Sequence, residues 1–169
     1  MASVLIVDDD EMIRDALYEL FESEHRCHVA ETASKAVAWL ETETYDVVLT
    51  DISMPGLSGL ELLAHLRDLH PDTSVIVISG IGDQGHAEGL LKLGAFDYLL
   101  KPFRLKDVEV SVSLAIDHHR RLVKERQRRE VSRAMAGSDP AGGATSEYAS
   151  PFSIAPALLC ESSCAGLDI

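Results

Sequence analysis

Short apolar runs alternate with segments of helical spacing along residues 1–104. The apolar runs are bounded by Gly, Pro or acidic residues and predict strands at 4–7, 27–30, 47–51, 74–78 and 96–100. The segments between them repeat apolar residues every three or four positions, which predicts helices. This alternation of strand and helix predicts an α/β fold with a doubly wound, five-stranded parallel sheet.

The pattern also predicts where the second, third and fourth helices begin or end. Thr32 is placed to cap the second helix. The third helix is predicted from about Ser58 until Pro71 stops it. Its predicted inward face is a set of leucines three residues apart, namely Leu60, Leu63, Leu66 and Leu69. The fourth helix is predicted over residues 83–93.

The segment after residue 104 carries two conflicting patterns. One set alternates apolar and polar residues as a strand does: Val108, Val110, Val112 and Leu114. A longer set steps by three and four as a helix does: Leu105, Val108, Val112, Ala115, His119 and Leu122. Neither Gly nor Pro interrupts the chain up to Ala136, so we predict one helix over 105–136 that extends beyond the sheet. Its basic outer half is either a solvated tip, a docking surface or a short coiled coil.

Composition divides the chain into three predicted parts. Residues 1–120 form the folded domain and 121–136 a helical extension. Residues 137–169 are rich in Gly, Ser, Ala and Pro and are predicted to be a disordered, low-complexity tail. The tail cysteines, Cys160 and Cys164, are predicted to be free thiols, and Cys27 has no obvious disulfide partner.

The chain is acidic, with 15 Lys and Arg against 28 Asp and Glu and a net charge of −13. Residues 1–104 carry a net charge of −12, whereas residues 105–136 carry +3. A surface this negative argues against direct binding of nucleic acid and favours a divalent cation. No charged leader precedes the first strand and no apolar run reaches about 18 residues, so we expect a cytoplasmic protein without membrane insertion.

Polar residues stand at the ends of four predicted strands, where ligands bind in open parallel sheets. They are Asp8 and Asp9, Asp51, Ser79 and Lys101. Carboxylates gathered this closely repel one another and favour a cation, and their hard oxygens suit Mg²⁺. A carboxylate beside such a metal can attack phosphorus. Lys101 would then supply a positive charge, and Ser79 a hydroxyl donor, to the phosphoryl oxygens.

Each of these residues also has an ordinary structural explanation. Asp8 to Asp10 could serve only to cap the first helix, and Asp51 could stabilise a turn. Ser79-Gly80 could be an ordinary turn pair, and Lys101 could be a plain loop lysine. Their joint occurrence at four strand ends favours the functional interpretation.

Four motifs extend this pattern: VLIVDDD at 4–10, LTDISMPG at 49–56, VISG at 77–80 and YLLKPF at 98–103. In order and spacing they resemble the receiver domain of bacterial two-component response regulators, and the resemblance covers residues 1 to about 120. It implies a flavodoxin-like (βα)5 fold.

The resemblance also implies a role for each site residue. Asp51 would accept the phosphoryl group and Lys101 would pair with it, the Lys101-Pro102 bond being cis. The implied switch residues are Ser79 and Tyr98. The implied metal is Mg²⁺, with Mn²⁺ as an alternative, held by the carboxylates of Asp8, Asp9 and Asp51 and the backbone carbonyl of Ser53.

The implied partner is a sensor histidine kinase or phosphotransfer protein, and the implied role is signalling without turnover of a separate substrate. A haloacid-type phosphatase would need a second aspartate two residues after the nucleophile, where Ser53 stands. A flavin binder would need a phosphate loop after the first strand, where only acids follow. Two alternatives stay open for the output: a stand-alone receiver, or the front of a larger regulator whose helix links to a further domain or forms a homodimer.

Overall fold

The computed structural model describes residues 1–80 and 84–136. Strands and helices alternate as predicted, and the predicted strand boundaries agree to within about one residue. The elements are β1 (Ser3–Val7), α1 (Glu11–Phe21), β2 (Arg26–Ala30), α2 (Ala33–Thr42), β3 (Val47–Asp51), α3 (Gly59–Leu69), β4 (Ser74–Ser79), α4 (Gln84–Lys92), β5 (Asp97–Leu100) and α5 (Leu105–Ala136). The predicted tail at 137–169, with its two cysteines, lies outside the described residues.

The five strands form one parallel sheet in the order β2-β1-β3-β4-β5, which confirms the doubly wound prediction. The strand order reverses between β1 and β3, and this arrangement leaves a crevice beyond the carboxyl ends of these two strands. Val7 pairs with Thr50 in the register of β1 and β3. Asp8, one residue beyond β1, therefore stands beside Asp51.

Alternate residues of the central strands face opposite sides of the sheet and form two apolar layers. On one side Leu5, Val48 and Val75 pack against α2 and α3. On the other side the layer consists of Ile6, Leu49 and Ile76 with residues of α1 and α5. Because both faces of the sheet are covered, its strands are nearly continuous runs of Val, Ile and Leu.

The inward face of α3 differs from the prediction. Leu62, Leu63 and Leu66 are buried, whereas Leu60 is half-buried and Leu69 is 64% exposed. Residues three apart are rotated by about 300° around a helix, so a strict run of threes drifts by about 60° at each step. A stripe that faces the sheet must mix steps of three and four.

Side chains at the amino ends of three helices accept hydrogen bonds from their first amides. Asp10 caps α1, and Thr32 caps α2 as predicted. Ser58 and Glu61 form a reciprocal capping box at α3. Such caps satisfy amides that have no partner within the helix, and they explain where each helix begins.

Helix α5 is one helix of 32 residues, as the longer of the two sequence patterns predicted. Val108, Val112 and Ala115 on its first half are buried against the sheet. The side chains from Arg120 onward are mostly exposed. Within residues 1–80 and 84–136, no helix combines the length and apolar character needed to cross a bilayer.

Candidate functional site

Four strand ends bring the predicted polar residues to the carboxyl edge of the sheet. Asp8 follows β1, Asp51 ends β3, Ser79 ends β4 and Lys101 follows β5. Asp8 is only 1% exposed and Asp51 only 5%. Carboxylates are seldom this buried unless a cation or hydrogen-bond donor compensates for the lost water.

Lys101 provides part of that compensation. Its Nζ lies 2.9 Å from Oδ2 of Asp8 and 3.0 Å from Oδ2 of Asp51, so it donates to both. The lysine thereby joins the end of β5 to the ends of β1 and β3. Charge-assisted hydrogen bonds of this kind are stronger than bonds between neutral groups.

The remaining charge at the edge is negative. Carboxylate oxygens of Asp8, Asp9 and Asp51 all lie within 4.8 Å of one another, and Asp9 is exposed to solvent. One lysine cannot balance three carboxylates. The donor set consists of hard oxygens beside open water, which fits Mg²⁺ or Mn²⁺, ions that keep several water ligands.

Burial and the lysine act in opposite directions on the site. Burial raises the pKa of Asp8, although its bonds from Lys101 and from the Asp10 amide oppose the rise. Burial alone would lower the pKa of Lys101, but Asp8 and Asp51 together outweigh it and raise that pKa. The charged form of the lysine is therefore favoured, whereas the loss of hydration disfavours the charged form of Asp8.

The turn after β1 is fixed by contacts that the sequence did not reveal. The Asp10 amide donates to Oδ1 of Asp8 over 2.9 Å. Arg14, on the first turns of α1, donates from Nη1 to the carbonyl of Asp8, also over 2.9 Å. An Arg six residues after Asp8 is a signal that the sequence contains, but its target could not have been predicted from the sequence.

The loop after β3 is packed tightly against Asp51. The Ser53 amide donates to Oδ1 of Asp51 over 3.2 Å. A Cβ at Gly59 would overlap the carbonyl oxygen of Asp51 and would crowd Ile52. Gly59 thus lets α3 start directly against the backbone that carries Asp51, and no pattern in the sequence marks it as a site residue.

The ends of β4 and β5 complete the edge. Asp51 pairs with Ile78 in the sheet register, so the buried Ser79 lies one residue further along the same edge. Apart from its chain neighbours, no atom of the described residues lies within 4 Å of where a Cβ at Gly80 would stand, so this part of the structure leaves space beside Ser79. Tyr98 is half-buried, and the Lys101-Pro102 bond is cis as the resemblance implied.

Comparisons with known proteins agree with this geometry. The chain is 38% identical over 117 residues to the DNA-binding transcriptional regulator NtrC of Salmonella typhimurium, covering 69% of this chain and 25% of that protein. It is 31% identical over 144 residues to the C4-dicarboxylate transport transcriptional regulatory protein DctD of Rhizobium meliloti, covering 85% of this chain and 31% of that protein. The chain thus spans only about a quarter to a third of the length of these relatives.

A solved structure and a family profile also match this chain. The receiver domain protein of Clostridium thermocellum superposes with a TM-score of 0.67 at 31% identity, over 72% of this chain and 99% of that one. Residues 4–113 match the family described as the response regulator receiver domain. With the acidic edge, the bridging lysine and the sheet order in place, the chain belongs to the response regulator receiver domain family.

Proposed function

We propose that this receiver domain takes a phosphoryl group from the phosphohistidine of a sensor histidine kinase or phosphotransfer protein onto Asp51. In this step a P–N bond breaks and a bond forms between phosphorus and a carboxylate oxygen of Asp51. The observation that carries the proposal is a nearly buried carboxylate held at a strand end by the Lys101 ammonium, 3.0 Å away. A fixed, poorly hydrated carboxylate beside a permanent positive charge is suited to attack an anionic phosphoryl group.

The metal in this proposal is Mg²⁺, with Mn²⁺ as an alternative. The residues that would hold it are the carboxylates of Asp8, Asp9 and Asp51 and the backbone carbonyl of Ser53. When bound, such an ion supplies positive charge to the phosphoryl oxygens. The excess of carboxylate over ammonium at this edge, with oxygens within 4.8 Å, supports the assignment.

The other site residues act on the phosphoryl group through charge and hydrogen bonding. Lys101 pairs with the phosphoryl oxygens, exchanging part of its present contact with Asp51 for a contact with the new dianion. The Ser79 hydroxyl donates to another phosphoryl oxygen, and the open space beside Gly80 accommodates the group. The domain catalyses its own modification and turns over no separate substrate.

Phosphorylation changes the surface formed by α4, β5 and α5. Movement of Ser79 toward the phosphoryl group vacates space next to β5, and Tyr98 turns into that space. This is a two-state element biased by a local change in charge. The surface then favours or releases a downstream partner.

We further propose that the chain acts in the cytoplasm as the front of a longer regulator with α5 as the link, because it spans only about a quarter to a third of the length of its relatives. A stand-alone receiver that uses α5 as a docking or dimerising helix is the second arrangement. In either case the acidic domain contacts protein partners and not nucleic acid, because its net charge of −12 over residues 1–104 repels phosphate backbones.

The proposal is tested by incubating the chain with ³²P-labelled acetyl phosphate and Mg²⁺. We expect acid-stable, base-labile label on the parent protein and on Asp68→Asn, a control at an exposed carboxylate of α3. We expect none on Asp51→Asn. Equal labelling of Asp51→Asn, or labelling that is unaffected by EDTA, would refute the proposal.

A further inference from the structure

The amino edge of the sheet, opposite the candidate site, holds a second charged group of residues that receiver chemistry does not use. It consists of His119 on α5, Asp46 just before β3 and Asp72 just before β4, and we call it the His119 cluster. Its members come from three separate parts of the chain. They meet where α5 leaves the sheet and becomes solvent-exposed.

Both nitrogens of the His119 ring lie against oxygens that can only accept. Nδ1 lies 2.7 Å from the carbonyl oxygen of Asp72. Nε2 lies 2.8 Å from the carboxylate Oδ1 of Asp46. A neutral imidazole has a single N–H and would therefore direct a lone pair at one of these oxygens, whereas an imidazolium presents an N–H to each.

The two acceptors are held in place independently of the ring. The other oxygen of Asp46 accepts from the Ser3 amide over 2.5 Å and from the Ser3 hydroxyl over 2.9 Å. The Asp72 carboxylate is paired with Arg126, about two turns further along α5, over 2.5 Å. The ring is only 17% exposed, so water cannot easily replace either contact.

We propose that His119 is an imidazolium clamp that fixes the direction in which residues 120–136 of α5 leave the sheet, and that loss of its proton loosens this segment. The clamp stands at the opposite edge from Asp51 and does not depend on the function proposed above. A cation that joins a helix to two fixed acceptors sets the orientation of the helix.

Other ionisable groups line the same pocket as the ring, contact it, or adjoin it on α5, and each is a source of pH dependence that the test must separate. They are Tyr45 and Asp46 before β3, His70 and Asp72 before β4, and His118 and Arg126 on α5. His118 is the closest competitor. Its Nδ1 lies 3.1 Å from the Ser74 hydroxyl, a group that suits a neutral ring, and burial together with nearby arginines lowers its pKa.

The test combines histidine ring NMR with amide exchange on the full chain. Long-range ¹H–¹⁵N spectra report directly whether each ring nitrogen of His119 carries a proton. Exchange of the amides at 120–126, corrected for the intrinsic pH effect, is compared at about pH 6 and about pH 8.5. The variants are His119→Gln and, as matched control at the next position, His118→Gln.

We expect both ring nitrogens of His119 to be protonated at the lower pH. In the parent and in His118→Gln, corrected exchange at 120–126 should rise by about tenfold at the higher pH, as loss of a hydrogen bond to a charged group predicts. In His119→Gln it should be fast at both values. An unprotonated ring nitrogen at the lower pH, or exchange in the parent that is independent of pH, would overturn the proposal, and neither readout requires that the variant be stable.

Discussion

The two edges of the sheet hold their acidic groups in similar ways but differ in how much of the negative charge is balanced. At the carboxyl edge a cation, Lys101, stands between Asp8 and Asp51. At the amino edge His119 stands between Asp46 and the carbonyl of Asp72. Both arrangements join parts of the chain that are distant in sequence through one side chain with oxygens on two sides.

The difference lies in what remains unbalanced. At the amino edge the Asp46 carboxylate is shared with Ser3 and the Asp72 carboxylate is paired with Arg126, so few acceptors are left over. At the carboxyl edge three carboxylates gather around one lysine. Balanced charge maintains a structure, whereas an excess of buried charge of one sign leaves a site that awaits a ligand.

The largest effect should follow loss of the lysine. In EDTA we expect Lys101→Met to lower the free energy of unfolding by about 3 kcal/mol, because it leaves two buried carboxylates facing each other. Mg²⁺ should restore part of the loss. Urea unfolding measures both quantities. Lys92→Met, at an exposed lysine of α4, is the control and should change stability by less than about 0.5 kcal/mol. Equal stability of Lys101→Met and the parent would remove the basis of the comparison.

Gly59→Ala tests whether the carboxyl edge also depends on exact backbone placement. The new methyl group must displace the Asp51 carbonyl or the start of α3, so we expect a loss of about 2 kcal/mol in unfolding experiments. Phosphorylation by acetyl phosphate should slow by at least about tenfold in the folded fraction. Gly89→Ala on α4 has open space and should instead stabilise by up to about 1 kcal/mol. Similar behaviour of the two variants would contradict the close-packing argument.

Asp8→Asn should raise the free energy of unfolding, whereas the two preceding substitutions lower it. The raised pKa of Asp8 means that its ionised form is less favourable in the folded chain than in the unfolded one. Ionisation above about pH 4 therefore lowers stability, and an amide avoids this. At neutral pH in EDTA we expect Asp8→Asn to be more stable than the parent by urea unfolding. Mg²⁺ should stabilise the variant less than the parent. If the variant is instead less stable than the parent in EDTA, the hydrogen bond from Lys101 contributes more to stability than the burial of the Asp8 carboxylate costs.

The smallest effect concerns the histidine beside the clamp. Burial, Arg121 and Arg67 lower the pKa of His118, so the folded chain resists its protonation. Its contribution to stability is therefore present above the ordinary histidine pKa of about 6.5 and is lost as pH falls through the lower folded value. His118→Gln should make the fall in thermal midpoint between about pH 7 and about pH 5 shallower. An unchanged slope would assign the acid sensitivity to other groups.

The meeting of Asp8, Asp51 and Lys101 could be predicted from the sequence because it follows from the topology of the sheet. Once the strands are parallel, the ends of β1, β3, β4 and β5 must share an edge, so residues as distant as Asp8 and Lys101 could be predicted to meet. The helix–strand conflict in α5 could be resolved from pattern length alone. These predictions depend on the direction of the strands and on the spacing of apolar residues, and both can be taken from short stretches of the sequence.

Contacts that depend on packing could not be predicted in this way. The inward face of α3 was wrong at Leu69 because a spacing of three fits a helix only approximately. Gly59 resembles any glycine at a helix start until Asp51 is seen against it. The partners of His119 lie 47 residues away at Asp72 and further still at Asp46, where no sequence pattern links them.

The length of α5 turns small angular changes into large displacements. The 16 residues from 121 to 136 rise by about 24 Å along the helix axis. A tilt of about 10° at Arg120 would therefore carry the far end through about 4 Å, comparable to the width of a side-chain contact. A small rotation of α5 where it packs beside β4 is therefore amplified along the helix, and the far end moves much further than the residues at the sheet.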